Sequence, residues 1–244
     1  LTALLACTST LSVAQHIPDL IGLRGTIPIT FESSPSAFNP ILSRHTEDVY
    51  DVTSAHMHLI GAPSVCAHGG CVASQTGSYV GSEGEAGHEH GQPIHLNRND
   101  HGTFNLVQFD AAELFLGADN ANATSILVYG YKSDTASLLA STTQFGSDSS
   151  VVARFDLDSI RDGAGGTNDF QTFFLPKTFT NLSSVVFVGT RSADDTATKL
   201  YSAFSLDNIH VTTVPEPSTI TLFSLGLVSL WYFRRRSVAR KLRA

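Results

Sequence analysis

The sequence predicts an all-β protein, a β-sandwich or jelly roll, from its composition, its apolar runs and its turns. Of 244 residues, 42% are hydrophobic and only 15% are charged, which excludes a disordered chain. The apolar runs between residues 103 and 211 are β-branched and aromatic, and Gly, Asn, Asp and Ser bound them. They recur at roughly ten to fifteen residues, the rhythm of short antiparallel strands. Turn signals such as Asp162-Gly163 and Gly165-Gly166 fall between them.

Taken in order, residues 16–60 contain Ile27-Pro28-Ile29-Thr30-Phe31-Glu32, a short strand entry. Residues 61–102 are dense in Gly, Ser and His and poor in large apolar side chains, so they read as long loops with one or two short strands. Strands are predicted over 104–109, 125–132, 138–145, 151–156, 170–175, 184–189 and 203–211. Within 125–132, Ile126 and Val128 face one way while Leu127, Tyr129 and Tyr131 face the other, a period of two. Only 111–116 hints at a helix.

Charge is distributed unevenly. The chain carries 15 Lys+Arg against 22 Asp+Glu, a net −7, which argues against a nucleic-acid partner, since such binding displaces counterions with Lys and Arg. Residues 15–214 hold 9 basic and 21 acidic groups, a net −12, whereas residues 234–244 hold six of the fifteen basic ones. An acidic body with a basic tail directs attention to the ends. Residues 1–14 carry no charge, and small residues at Ser12 and Ala14 suit signal-peptide cleavage. The start at Leu1, without a basic stretch, predicts a truncated secretory signal over 1–14. Leu4-Leu5-Ala6-Cys7 is an imperfect alternative as a lipoprotein processing site.

At the other end, residues 219–233 form an uncharged run followed by Arg234, Arg235 and Arg236. As a helix, fifteen residues span about 22 Å at about 1.5 Å per residue, short of the roughly 30 Å hydrocarbon core. Trp231, Tyr232 and Phe233 suit the interface, and snorkelling arginines make up part of the deficit. The positive-inside rule keeps the arginines and the basic tail 237–244 in the cytoplasm, which places the body, 15–213, outside.

Val214-Pro215-Glu216-Pro217, the short apolar helix and the arginine cluster together resemble the PEP-CTERM sorting signal of Gram-negative bacteria, over 214–236. The resemblance implies recognition by exosortase, a membrane cysteine transpeptidase that cuts near Pro-Glu-Pro. It also implies a single C-terminal membrane anchor before sorting, and a role alongside exopolysaccharide and biofilm.

Several phrases of the body resemble the carbohydrate-binding-module-like jelly rolls found among such proteins. They are Phe31-Glu32, Gly102-Thr103-Phe104, Phe109-Asp110, Asp169-Phe170-Gln171-Thr172-Phe173 and the closing stretch from Ala203 to Ile209. That resemblance implies a structural Ca²⁺ shared by Glu32 on the first strand and Asp207 on the last. Two carboxylates with loop carbonyls would contribute to its six to eight oxygens. Sugar-binding modules of this shape hold rings on exposed Trp faces, yet the lone tryptophan, Trp231, lies in the membrane segment. Tyr50, Tyr79, Tyr129, Tyr131 and Tyr201 remain as stacking candidates, though strand aromatics often serve packing.

Eight of the ten histidines fall between residues 45 and 101. On a strand, His56 and His58 would lie on one face about 7 Å apart. His88, His90 and His95 add three imidazoles within eight residues, and imidazole suits Zn, Cu and Ni. The pattern is neither H-E-x-x-H nor a cupin motif, so a solvated Gly/His insertion is the alternative. Cys66 and Cys71 close a short loop that an oxidising exported compartment would bridge as a disulfide, adding about 2–3 kcal/mol at most.

No G-x-S-x-G elbow, Walker loop or kinase set is present, and the acidic pairs sit where turns collect such residues. The expectation is therefore a non-enzyme: an exported, exosortase-sorted surface or matrix protein with a structural or adhesive β-sandwich. A glycan-binding module and a metal-binding protein using the His-rich loops are the two alternatives.

Overall fold

The computed structural model describes residues 25–32, 41–60, 78–82, 91–114, 122–132, 151–159, 170–191, 201–214, 223–229 and 231. Eleven strands account for most of them: β1 (Ile27–Ile29), β2 (Ile41–Glu47), β3 (Tyr50–Ile60), β4 (Tyr79–Ser82), β5 (Ile94–Arg98), β6 (Phe104–Glu113), β7 (Ser125–Tyr131), β8 (Val151–Asp156), β9 (Gln171–Phe174), β10 (Ser184–Thr190) and β11 (Phe204–Thr213). They form one hydrogen-bonded path, β8-β7-β10-β5-β3-β4-β11-β6-β9, with β1 added beside β11 and β2 beside β3. Among the described residues, these strands pair antiparallel throughout.

The path folds into two facing layers because β3 belongs to both. Its first half pairs with β5 through Tyr50–Thr53, and its second half with β4 through Met57–Ile60. Between them the register against β2 shifts after Leu42. Tyr50 and Val52 face the core before this point, Met57 and Leu59 after it, so the inward parity changes from even to odd. A bulge that bends a strand is the ordinary way for a sheet to turn a corner.

Phe109 on β6 joins the layers. Its ring lies 5.2 Å from Phe155 of β8, 5.2 Å from Phe187 of β10 and 5.4 Å from Phe173 of β9. Phe155 also meets Phe173 at 5.4 Å, and the Asp158 amide donates to Gln171 Oε1 at 3.1 Å. The two end strands of the path are thus brought together, and the sheet is nearly closed. The core around Phe109 runs from Ile29 and Phe31 through Leu96 and Val128 to Leu206 and Val211, all buried. A second apolar cluster, Tyr129, Tyr131, Val186, Val188 and Tyr201, occupies the outer face of β7 and β10. Strand β10 consequently packs on both faces and is buried throughout, whereas β8, at the end of the path, alternates half-buried with exposed.

The predicted alternation in β7 holds: Ile126 and Val128 enter the main core, while Leu127, Tyr129 and Tyr131 join the outer cluster. Strands over 104–109, 125–132, 151–156, 170–175, 184–189 and 203–211 are present with ends displaced by a few residues, and where one or two short strands are expected within 61–102 there are β4 and β5. The hint of helix at 111–116 is corrected. Ala111, Ala112 and Glu113 continue β6, because cross-strand pairing with Phe204, Ser205 and Leu206 outweighs their helix propensity. The strand predicted at 138–145 and the signal at 1–14 lie outside the described residues.

Candidate functional site

Three places bear on function: the junction of body and tail, the carboxylates around β11, and the histidines of β3 and β5. At the junction, β11 ends at Thr213 and the Val214 amide donates to the Thr103 carbonyl at 3.2 Å. Residues 223–229 are helical, with Phe223, Leu225, Leu227 and Val228 exposed, as is Trp231. Exposed apolar side chains on a helix mark a segment whose partner is another apolar phase. The sequence predicts a span over 219–233. Among the described residues no helix is long and apolar enough to cross a membrane, since seven residues reach only about 10 Å. Pro215, Glu216, Pro217, Arg234, Arg235 and Arg236 lie outside the described residues.

Residues 213–236 match the PEP-CTERM protein-sorting motif. The motif implies export, membrane-anchored sorting toward the cell surface of a Gram-negative bacterium, and processing by exosortase. It begins at the last residue of β11, so the sorting segment follows the folded body without a spacer. No curated protein matches the chain. Among solved structures, a DUF4465 family protein from Bacteroides caccae is similar at 13% identity and a TM-score of 0.44, covering 78% of this chain and 99% of its own. The K2 cleaved adhesin domain of Lys-gingipain is similar at 19% identity and a TM-score of 0.41, covering 77% and 99%.

Around β11, Asp207 is fully buried and stands directly opposite Asp110 of β6. Like charges in register across a ladder repel each other. Asn208, with a positive φ of 45°, relieves part of this: its amide donates to Asp207 Oδ1 at 2.7 Å and its Nδ2 to Asp110 Oδ2 at 2.8 Å. Asp110 Oδ1 is buried without a hydrogen-bond partner. Strand β1 pairs with Ile209–Val211 and β4 with Phe204–Leu206, so the ends of both adjoin Asp207. Glu32, just beyond β1 and exposed, accepts from the Ser78 amide at 2.5 Å, which ties those ends together. Glu32 and Asp207 therefore lie in one neighbourhood, but among the described residues no three His, Cys, Asp or Glu side chains are grouped to hold a metal ion.

Sequence reasoning missed Asp110, whose place opposite Asp207 follows from the β6–β11 register. It also missed Glu47. That carboxylate accepts from the Phe31 amide at 2.9 Å and the Thr30 amide at 3.2 Å, and lies 3.4 Å from His45 Nε2. Burial opposes its ionisation, yet the His45 contact and the two amides outweigh it and hold its pKa below the usual carboxylate range. Phe31, at φ 61°, is pinned there with its ring 5.1 Å from His45. No local sequence signal reports these contacts, because they span 16 and 17 residues.

The histidines separate into two groups. His56 and His58 share a face of β3, as expected for i and i+2, and their Nε2 atoms are 3.1 Å apart, with ring centroids at 5.0 Å. This is closer than strand geometry alone predicts, because the rings lean together. Both are buried. His95 sits on β5 opposite Thr53 and Val186, where burial pulls its pKa down to about 4. It does not complete a three-residue group with the pair. His88, His90, Cys66 and Cys71 lie outside the described residues.

Four of the five tyrosines considered for sugar stacking are spent on packing. Tyr50 is 0% exposed, Tyr129 and Tyr131 6%, and Tyr201 8%, so none of them presents a ring face to a ligand. Burial, reinforced by the neighbouring Tyr129 and Tyr131 hydroxyls, pushes Tyr201 up to about 12.

Proposed function

We propose that the body is a non-catalytic structural or adhesive module of the extracellular matrix, delivered there by exosortase and acting in exopolysaccharide or biofilm. The observation that bears most weight is the match of residues 213–236 to the sorting motif, directly after the last strand of a closed-up sandwich. The acidic body and the buried tyrosines support a packing module over a sugar-stacking one. Mass spectrometry of the surface-released protein tests the route. The expected C-terminus lies near Pro215-Glu216-Pro217, and replacing Arg234, Arg235 and Arg236 with Ser should leave uncut chain in the membrane. A released protein ending at Ala244 would overturn the assignment. Fractionation tests the destination: the mature protein should co-purify with exopolysaccharide, and a wholly periplasmic pool would refute the matrix role.

The proposal includes a structural Ca²⁺ held by Asp207 and Glu32. The in-register Asp110 and Asp207 carboxylates support it, because a cation beside Asp207 would relieve their repulsion. Calcium should raise the melting temperature of the mature protein, and Asp207→Asn should abolish the rise. An identical melting temperature in calcium and in chelator would remove the ion from the proposal.

A further inference from the structure

We propose that, in the membrane-anchored precursor, the end of the sandwich from which the sorting segment leaves is a contact face for anionic lipid headgroups. The proposal rests on the anchoring that the motif at 213–236 implies.

Several strands build this end. Strand β11 runs out here at Thr213, and the Val214 amide is bonded to the Thr103 carbonyl in the β5–β6 turn. That turn is fixed to the β2–β3 turn, where the Asn99 amide donates to the Val49 carbonyl at 2.9 Å. On its other side, Phe104 and Leu182 exchange amide-to-carbonyl bonds of 2.9 and 2.8 Å, and the Asn181 amide donates to Asn105 Oδ1 at 3.0 Å. These bonds hold the connection between β9 and β10 against the turn. The Ser183 amide donates to the Tyr131 carbonyl at 2.8 Å, which adds the end of β7. Asp48, Asp100, His101, Lys132, Lys177 and Asn181 are exposed here. Thr124, Asp158 and Arg191 are exposed at the opposite end, joined by bonds from Thr124 to Thr190 and from Leu157 to Thr124.

Reach and charge decide which end meets the membrane. The uncharged run begins at Thr219, five residues after Val214. Five residues span at most about 17 Å, so the Val214 end cannot stand farther than that from the start of the apolar segment. Strand β11, ten residues long, places the Phe204 end about 30 Å away along the body. Residues 15–214 carry a net −12, which an anionic surface repels. Among the described residues at the Val214 end, Arg98, Lys132 and Lys177 offset Glu47, Asp48 and Asp100, three of each sign, so this end brings no net charge to the surface. Both lysines among the described residues lie here, and an exposed lysine beside a bilayer is drawn to anionic headgroups.

The test uses the full, uncut chain in nanodiscs of phosphatidylethanolamine and phosphatidylglycerol that contain a gadolinium-chelating lipid. The backbone amide NMR signals of His101, Lys177 and Asn181 should broaden severalfold more than those of Thr124, Asp158 and Arg191. Lys177→Glu, at an exposed position, should at least halve that difference, as should discs of phosphatidylcholine alone. Chain that fails to enter the discs would refute the anchor itself. Equal or inverted broadening in incorporated chain would overturn the orientation with the anchor intact. A difference unchanged by both Lys177→Glu and phosphatidylcholine would leave only a tether and overturn the lipid contact. A difference that appears only when exosortase shares the disc would give the face to the enzyme and overturn it as well.

Discussion

Truncating Phe109 to Ala should be among the most damaging single changes in the body. The ring is fully buried and touches Phe155, Phe173 and Phe187, which belong to three strands in both layers. Removing a buried Phe ring costs about 3–5 kcal/mol in transfer and cavity terms. Two of the three contacts are edge-to-face, with interplanar angles of 88° and 71°, and such pairs add about 0.5–1.5 kcal/mol beyond their area. The cavity would open where the end strands meet, so neighbouring strands could relax into it partly, and a loss of about 4 kcal/mol is expected. For a domain of this size that lowers Tm by about 8–16 °C. The assay is urea and thermal unfolding of the mature protein beside two controls. Phe174→Ala, on the same strand as Phe173 but 36% exposed, should cost much less, and Val152→Thr, at a position 58% exposed, should stay within about 0.5 kcal/mol. If Phe109→Ala loses under about 1 kcal/mol, or no more than Phe174→Ala, the layers are not joined through this ring.

Glu47→Gln should lower stability by about 2 kcal/mol at neutral pH, by weakening charge-assisted bonds from Thr30 and Phe31. Because the folded pKa of Glu47 is depressed, its contribution is present above the ordinary carboxylate pKa and fades as pH falls through the folded value; the Gln variant should lack that acid-side loss in a pH series of urea melts. His95 is depressed to about 4 by burial, so the stability of its neutral form is full above its unfolded pKa of about 6.5 and drains away between there and about 4. His95→Gln should flatten the stability profile over that window, and an unchanged slope would refute a buried neutral imidazole. Gly189→Ala would place a Cβ 2.2 Å from the Ser202 carbonyl oxygen and 2.8 Å from the Phe204 ring, and should cost at least about 2 kcal/mol by chemical denaturation.

How much of this was legible in sequence depends on how local the cause is. Strand β7 was readable because each of its faces meets a different apolar cluster and one period of two runs its whole length. Strand β3 was not read as a whole, because its parity reverses and no single period fits all eleven residues. Strand β2 hid behind polar residues such as Arg44, whose side chain is 57% exposed beside Asp51 at 2.5 Å. The extension of β6 through Ala111 and Glu113 was masked by residue types that favour helix. At the candidate sites, spacing placed His56 and His58 on one face, but only the bend turns that face away from the core. Glu47 and Asp110 act on partners far along the chain, and register, not composition, brings them there.

The order of elements would let a chain anchored through its sorting motif be released with its fold intact. Strand β11 is the centre of its layer, pairing with β6 along its length and with β1 and β4 on the other side. It supplies buried Phe204, Leu206, Ile209 and Val211 to the core, so it must be intact for the sandwich to persist. The last backbone bond from this segment to the body among the described residues is Val214 to Thr103, and Pro215 and Pro217, which follow, have no amide hydrogen to donate. A cut near Pro-Glu-Pro would therefore remove the segment with the apolar helix and the arginines and leave every strand pair among the described residues in place. A cut before Ile209, six residues ahead of Pro215, would strip Ile209 to Val211 from β1 and open the core at Ile29. The Pro-Glu-Pro stretch thus starts directly after the last backbone bond that ties this segment to the described body.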